Sequence, residues 1–90
     1  MTVPAAFSEA FFALPTGTFT GRSSGRSYVV SRTASANGRA HKLVANERGG
    51  PDYISLNLYR LSDGQLLLRP CEMPADKVIR FTTGLTPDTC

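Results

Sequence analysis

Ninety residues carrying ten Lys/Arg against seven Asp/Glu, a formal charge of +3, leave room for one domain and one modest core. An apolar fraction of 41% excludes a disordered or fibrous chain, and no apolar run is long enough to span a bilayer. One histidine and two widely spaced cysteines exclude a zinc-type ligand set and a disulfide scaffold, so no metal or cofactor is expected.

The chain opens with an apolar run that no Lys or Arg precedes and that Glu9 interrupts. This argues against a signal peptide, and with so few cysteines a reducing cytoplasm is the expected compartment. Residues 3–14 fit an amphipathic helix, with Phe7, Ala10, Phe11 and Leu14 at helical spacing on one face and Ser8 and Glu9 turned away. Thr2 is placed to cap it, Pro4 suits its first turn and Pro15 stops it. Phe12 falls off that face and is a candidate for a partner surface.

Residues 16–27 are rich in Gly, Ser and Thr. Positions 18–20 read as a short strand and 21–26 as a flexible loop carrying Arg22 and Arg26. The backbone amides of such a loop can cradle an anion, although the lysine and following Ser/Thr of a nucleotide-binding P-loop are missing. An ordinary hairpin loop is the plainer reading.

Residues 27–33 and 39–47 make a hairpin around Asn37-Gly38, the strongest short-range turn signal in the chain. Its register stays open. A three-residue loop at 36–38 pairs Arg32 with Lys42 and Val30 with Val44, with Tyr28 on the same face. A two-residue loop sets Arg32 opposite Leu43. The first option places two like charges side by side, unfavourable without an anion between them.

Beyond the Gly-Gly-Pro link at 49–51, residues 53–70 read as two strands joined at Ser62-Asp63-Gly64. With a two-residue loop, the aliphatics divide between both faces. A three-residue loop with Gly64 left-handed gathers Ile54, Leu56, Leu58, Leu66 and Leu68 on one side. Tyr53, Ser55, Asn57, Tyr59, Gln65 and Arg69 then share the other, and this register is expected because a one-residue slip would send half the aliphatics into water. Residues 74–84 form a final helix, with Pro74 in its first turn, Asp76 near its positive end and Gly84 as its stop. Val78, Ile79, Phe81 and Leu85 supply its apolar side while Lys77 and Arg80 look outward. Residues 86–90 are expected to be a loose tail.

The whole is a single α+β domain over 1–90: a four- to five-stranded antiparallel sheet of hairpins, with short N- and C-terminal helices packed on one face. The opposite face is then left uncovered. It holds Tyr53, Asn57, Tyr59 and Arg69, with Tyr28, Arg32 and Lys42 as further candidates. Residues 10–46 contain no acid but do contain Arg22, Arg26, Arg32, Arg39 and Lys42, a cationic half suited to phosphate.

Catalysis is not expected. Cys71 precedes a helix start that would favour a thiolate, but the one histidine, His41, lies on a distant strand, and an inert cysteine is the better reading. Cys90 reads as an exposed thiol. Single-stranded nucleic acid, by contrast, is held by aromatic platforms flanked by Arg and Lys. Arg22, Arg26, Arg32 and Lys42 are the residues expected to neutralise phosphate, Tyr53 and Tyr59 to stack, and Arg69 to do either. The run of hairpins followed by a helix is similar in element order to single-strand-binding folds of the Whirly and Pur-alpha type. That likeness is one of topology without a residue motif, so it transfers no site residues. The alternative is a protein-binding module or inhibitor, for example a phage or mobile-element protein blocking a nucleic-acid-handling complex, or a small homodimeric adaptor.

Overall fold

The computed structural model describes residues 3–88. In chain order the elements are α1 (Ala5–Ala13), β1 (Gly17–Ser23), β2 (Arg26–Ser35), a short 3-10 turn (Ala36–Gly38), β3 (Ala40–Glu47), β4 (Tyr53–Arg60), β5 (Leu66–Pro70), α2 (Ala75–Gly84) and β6 (Thr86–Pro87). The strands form one six-stranded antiparallel sheet in the order β5-β4-β3-β2-β1-β6. The class is the expected α+β, with one strand more than foreseen.

The extra strand comes from the segment expected to be a loose tail. Thr86 and Pro87 pair with Arg22 and Gly21 of β1, and the Asp88 amide donates to the Thr20 carbonyl at 2.9 Å. The close approach relies on Gly21, where a Cβ would stand 3.0 Å from both the Leu85 side chain and the Thr86 carbonyl. Residues 89 and 90, including Cys90, lie outside the described residues.

The β4–β5 hairpin closes as its alternation requires. Leu58 pairs with Leu68 and Arg60 with Leu66, and the Leu61 amide meets the Gln65 carbonyl at 2.8 Å. Ser62, Asp63 and Gly64 are left as a three-residue loop, with Gly64 at φ 86°, a conformation glycine adopts without strain. Ile54, Leu56, Leu58 and Leu68 are buried on one face, and Leu66 is half-buried beside them.

The β2–β3 hairpin resolves the open register. Ser35 pairs with Ala40 across a four-residue loop, Arg32 with Leu43, Val30 with Ala45 and Tyr28 with Glu47. Asn37 and Gly38 both take left-handed backbone, φ 57° and 83°. The reason lies in the next strand. β3 must present Leu43 and Ala45 to the side on which β4 presents Leu56 and Ile54. β2 then supplies either Tyr28, Val30 and Arg32 or Val29, Ser31 and Thr33. The first set is far more apolar, and Arg32 is carried inside with it.

Both helices lie on this side. In α1, Phe7 and Phe11 are fully buried, and Leu14 follows them into the core. The helix begins at Pro4, whose carbonyl accepts from the amides of Phe7 and Ser8 at 3.1 and 3.2 Å. Thr2, expected to cap it, lies outside the described residues. Helix α2 buries Val78, Phe81 and Thr82, and Leu85 beyond it. Each fully buried large aliphatic or aromatic contributes about 1.5–3 kcal/mol. One layer of helices and one sheet face thus account for the core. Among the described residues no helix is long and apolar enough to cross a membrane.

Candidate functional site

The uncovered side of the sheet follows from alternation alone. Every residue that is not on the helix side of β2–β5 points the other way, and the registers arrange these residues in rows. One row runs Thr20, Val29, Asn46, Tyr53; the next runs Thr18, Ser31, Val44, Ser55. A third runs Thr33, Lys42, Asn57, Arg69, and a fourth Ser35, Ala40, Tyr59, Leu67. Arg22 sits beside Ser27, at the end nearest the first row.

This surface is mixed in a particular way. Tyr53 and Val29 are 42% and 40% exposed, and Tyr59, Val44 and Leu67 are half-buried among Ser, Thr and Asn. Arg22, Lys42 and Arg69 are exposed, and among the described residues they form no salt bridge. Lys42 and Arg69 flank Asn57 and stand two strand spacings apart, about 10 Å. Tyr53 and Tyr59 mark the two ends of β4, six residues and about 20 Å apart. On this face β1 to β5 contribute no acid; Asp88 flanks the surface at the β6 edge.

The remaining candidates from the sequence lie elsewhere. Arg32 is 6% exposed on the helix side, its Nη1 donating to the Leu14 carbonyl at 2.6 Å. Its guanidinium stacks over Phe11 and Phe12, 4.8 and 5.6 Å from the ring centroids. It finishes the C-terminal end of α1 and has no line to the open face; burial alone draws its pKa down. The like-charge pair of Arg32 and Lys42 does not form, since the two point to opposite sides of the sheet. Phe12, foreseen as a partner-surface aromatic, packs instead against His41, Arg32 and Arg60.

Tyr28 is also on the helix side and buried, edge-on to Phe81 at 4.8 Å. Its hydroxyl donates to Asp52 Oδ2 at 2.8 Å, and Lys77 Nζ donates to Asp52 Oδ1 at 2.8 Å. The hydrogen bond from Lys77, seconded by that from Tyr28, holds the Asp52 carboxyl below the usual carboxylate range. Burial, then the Asp52 bond, pushes the Tyr28 phenol up. Arg26 belongs to this cluster, 3.8 Å from Asp52. The segment 21–26 is no flexible loop: Ser23 pairs with Arg26 across a tight Ser24-Gly25 turn. Sequence reading missed this cluster because Asp52, Tyr28 and Lys77 meet only through the fold. The one legible hint was Lys77 and Arg80, three apart on one flank of α2.

His41 and Cys71 are separated by the sheet. His41 is buried on the helix side against Phe11 and Phe12, and neither ring nitrogen reaches a partner in hydrogen-bond geometry among the described residues. Burial is the main cause that lowers its pKa, aided by the Arg32 and Arg60 charges, while the Gly38 carbonyl opposes the shift without bonding either nitrogen. Cys71 continues β5 opposite Ser55 on the open face, half-buried, and its sulfur accepts from Asn57 Nδ2 at 3.5 Å. A nucleophile–base pair cannot form across the intervening layer.

Comparison of the chain with known protein families, curated proteins and solved structures finds no match. The likeness in element order to single-strand-binding folds therefore carries no argument, and function is read from the surface itself.

Proposed function

We propose that this protein is a non-catalytic, cytoplasmic binding module that holds nucleic acid against the open face of its sheet. The contact is made with single strands or with the phosphate backbone. The observation that carries the reading is the juxtaposition of Tyr53, Tyr59, Lys42, Arg69 and Arg22 on a face that neither helix covers and to which β1–β5 contribute no carboxylate. Bases stack on aromatic rings whatever their identity, and flanking cations neutralise the phosphates between them. The rows of Ser, Thr and Asn add donors and acceptors without imposing a sequence. Arg32 and Arg26 take no part in this contact.

The test is fluorescence anisotropy of labelled single-stranded DNA and RNA at increasing salt. Binding should weaken steeply, because each neutralised phosphate releases counterions. Absence of binding to any oligonucleotide at low salt would remove this reading. It would promote the second one, a protein partner or a second copy, which the outer edge of β5, unpaired among the described residues, and the exposed Tyr53 and Val29 favour. Sedimentation of the free protein and a pull-down from its host would then decide between those two.

A further inference from the structure

At one end of the molecule the β1–β2 turn, the loop before β4 and helix α2 converge on a cleft of about 320 Å³. Tyr28, Ile54 and Phe81 form its floor, and Arg26, Lys77, Arg80 and Ser24 its rim. Three cationic side chains face one lining carboxylate, Asp52. Both oxygens of that carboxylate are engaged, one by Tyr28 and one by Lys77. Asp52 thereby fixes the Lys77 ammonium at the mouth and leaves it with donors to spare.

The two guanidiniums are barely committed. Arg26 stands 3.8 Å from Asp52, beyond hydrogen-bond distance, and its side chain is 57% exposed. Among the described residues the Arg80 guanidinium pairs with Asp76 alone, at 3.5 Å on the helix surface, with both groups more than 70% exposed. Such an exposed pair is weak and yields readily to a better acceptor. Two weakly held forks beside a fixed ammonium match a tetrahedral dianion better than a single carboxylate, since each fork can engage two of its oxygens.

We propose that this cleft binds a phosphate monoester, either the head of a free mononucleotide or the terminal phosphate of a strand. Arg26 and Arg80 grip the phosphate, Lys77 supplies the third charge, and Ser24 offers its hydroxyl at the rim. The ester body lies over the edge of Phe81. The site is on the helix side and does not rest on the open-face reading.

The experiment titrates the isotope-labelled full chain with adenosine 5′-monophosphate and, separately, with adenosine, following amide shifts by NMR. The monophosphate should shift Ser24, Arg26, Lys77 and Arg80, inorganic phosphate should displace it, and adenosine should do nothing. An Arg26→Gln/Arg80→Gln double variant should weaken binding at least about ten-fold with an unchanged melting temperature, since both side chains are exposed. Binding should also strengthen as pH rises through about 6, where the monoester gains its second charge. A 5′-phosphorylated oligonucleotide that outcompetes its 5′-hydroxyl twin at these residues assigns the ligand to a strand end. Failure of both oligonucleotides to displace the bound monophosphate assigns it to a free nucleotide, whereas equal displacement by both overturns the preference for a monoester. The proposal is overturned if adenosine binds as well as its monophosphate, if shifts fall only on the open face, or if the double variant keeps full affinity. Failure of oligonucleotides on the open face leaves the mononucleotide arm intact, so the two readings fail separately.

Discussion

One set of strands makes two unlike surfaces. On the helix side Tyr28, Val30, Leu43, Ala45, Ile54, Leu56 and Leu58 are sealed under α1 and α2; one residue along each strand, Val29, Lys42, Val44, Tyr53 and Tyr59 meet solvent. The contrast extends to the charges. Arg32 and Lys42 sit on adjacent strands, yet Arg32 finishes a helix end inside the protein while Lys42 is free in water. Residue type does not separate structural from available cations here; the side of the pleat does.

The widest gap between the faces is in stability. Phe11→Ala empties a fully buried site and should cost about 3–5 kcal/mol, whereas Val29→Ser on the open side should stay within about 0.5 kcal/mol. Urea denaturation of the two variants measures the gap, and equal losses would mean the open face is covered in solution. Tyr53→Ala tests the reverse: unchanged urea midpoint, but a loss of about 1–3 kcal/mol in single-strand affinity if the ring stacks on a base. Unaltered affinity would break the assignment of Tyr53 as a platform.

pH separates the faces a third way, since the shifted groups lie on the helix side. His41 has its folded pKa lowered below the ordinary 6.5, so below 6.5 the unfolded chain takes up a proton that the folded chain refuses. Stability should therefore fall as pH drops from 6.5 towards the folded value, by at most about 1.4 kcal/mol per unit. His41→Leu should flatten that stretch of the curve. Asp52 is also lowered, so its contribution is present above its ordinary 3.8 and disappears at more acid pH, as the folded carboxyl takes up a proton. Thermal melts between pH 7 and pH 3 would resolve the two, and a flat wild-type profile from 6.5 downwards would refute the first.

The smallest effect is the sharpest discriminator between the neighbouring cations. Lys42→Gln should lower the slope of log affinity against log salt by about 0.7, the share of one single-strand phosphate. Arg32→Gln should leave that slope alone and show itself only in stability. Similar slope changes for both would mean that the guest reaches the helix side.

The short-range part of this architecture could be read from residues alone. In 53–70 the aliphatic alternation and Gly64 admit one register, because any slip exposes leucine. The phenylalanine spacing in 5–13 likewise fixes which side of α1 is buried. The β2–β3 register could not be read so, because both faces of residues 27–33 carry apolar and polar groups. Only the demand from β4 and the helices, that Leu43 and Ala45 face inward, chose between them. The same choice took Tyr28 and Arg32 off the proposed face. Packing of distant segments folded the last strand against Gly21. It also brought Arg26, Asp52 and Lys77 together at one end. Alternation is a local property and the sequence carries it outright. Which of two alternating sets is buried depends on what lies across the layer, and that is settled only when distant segments pack.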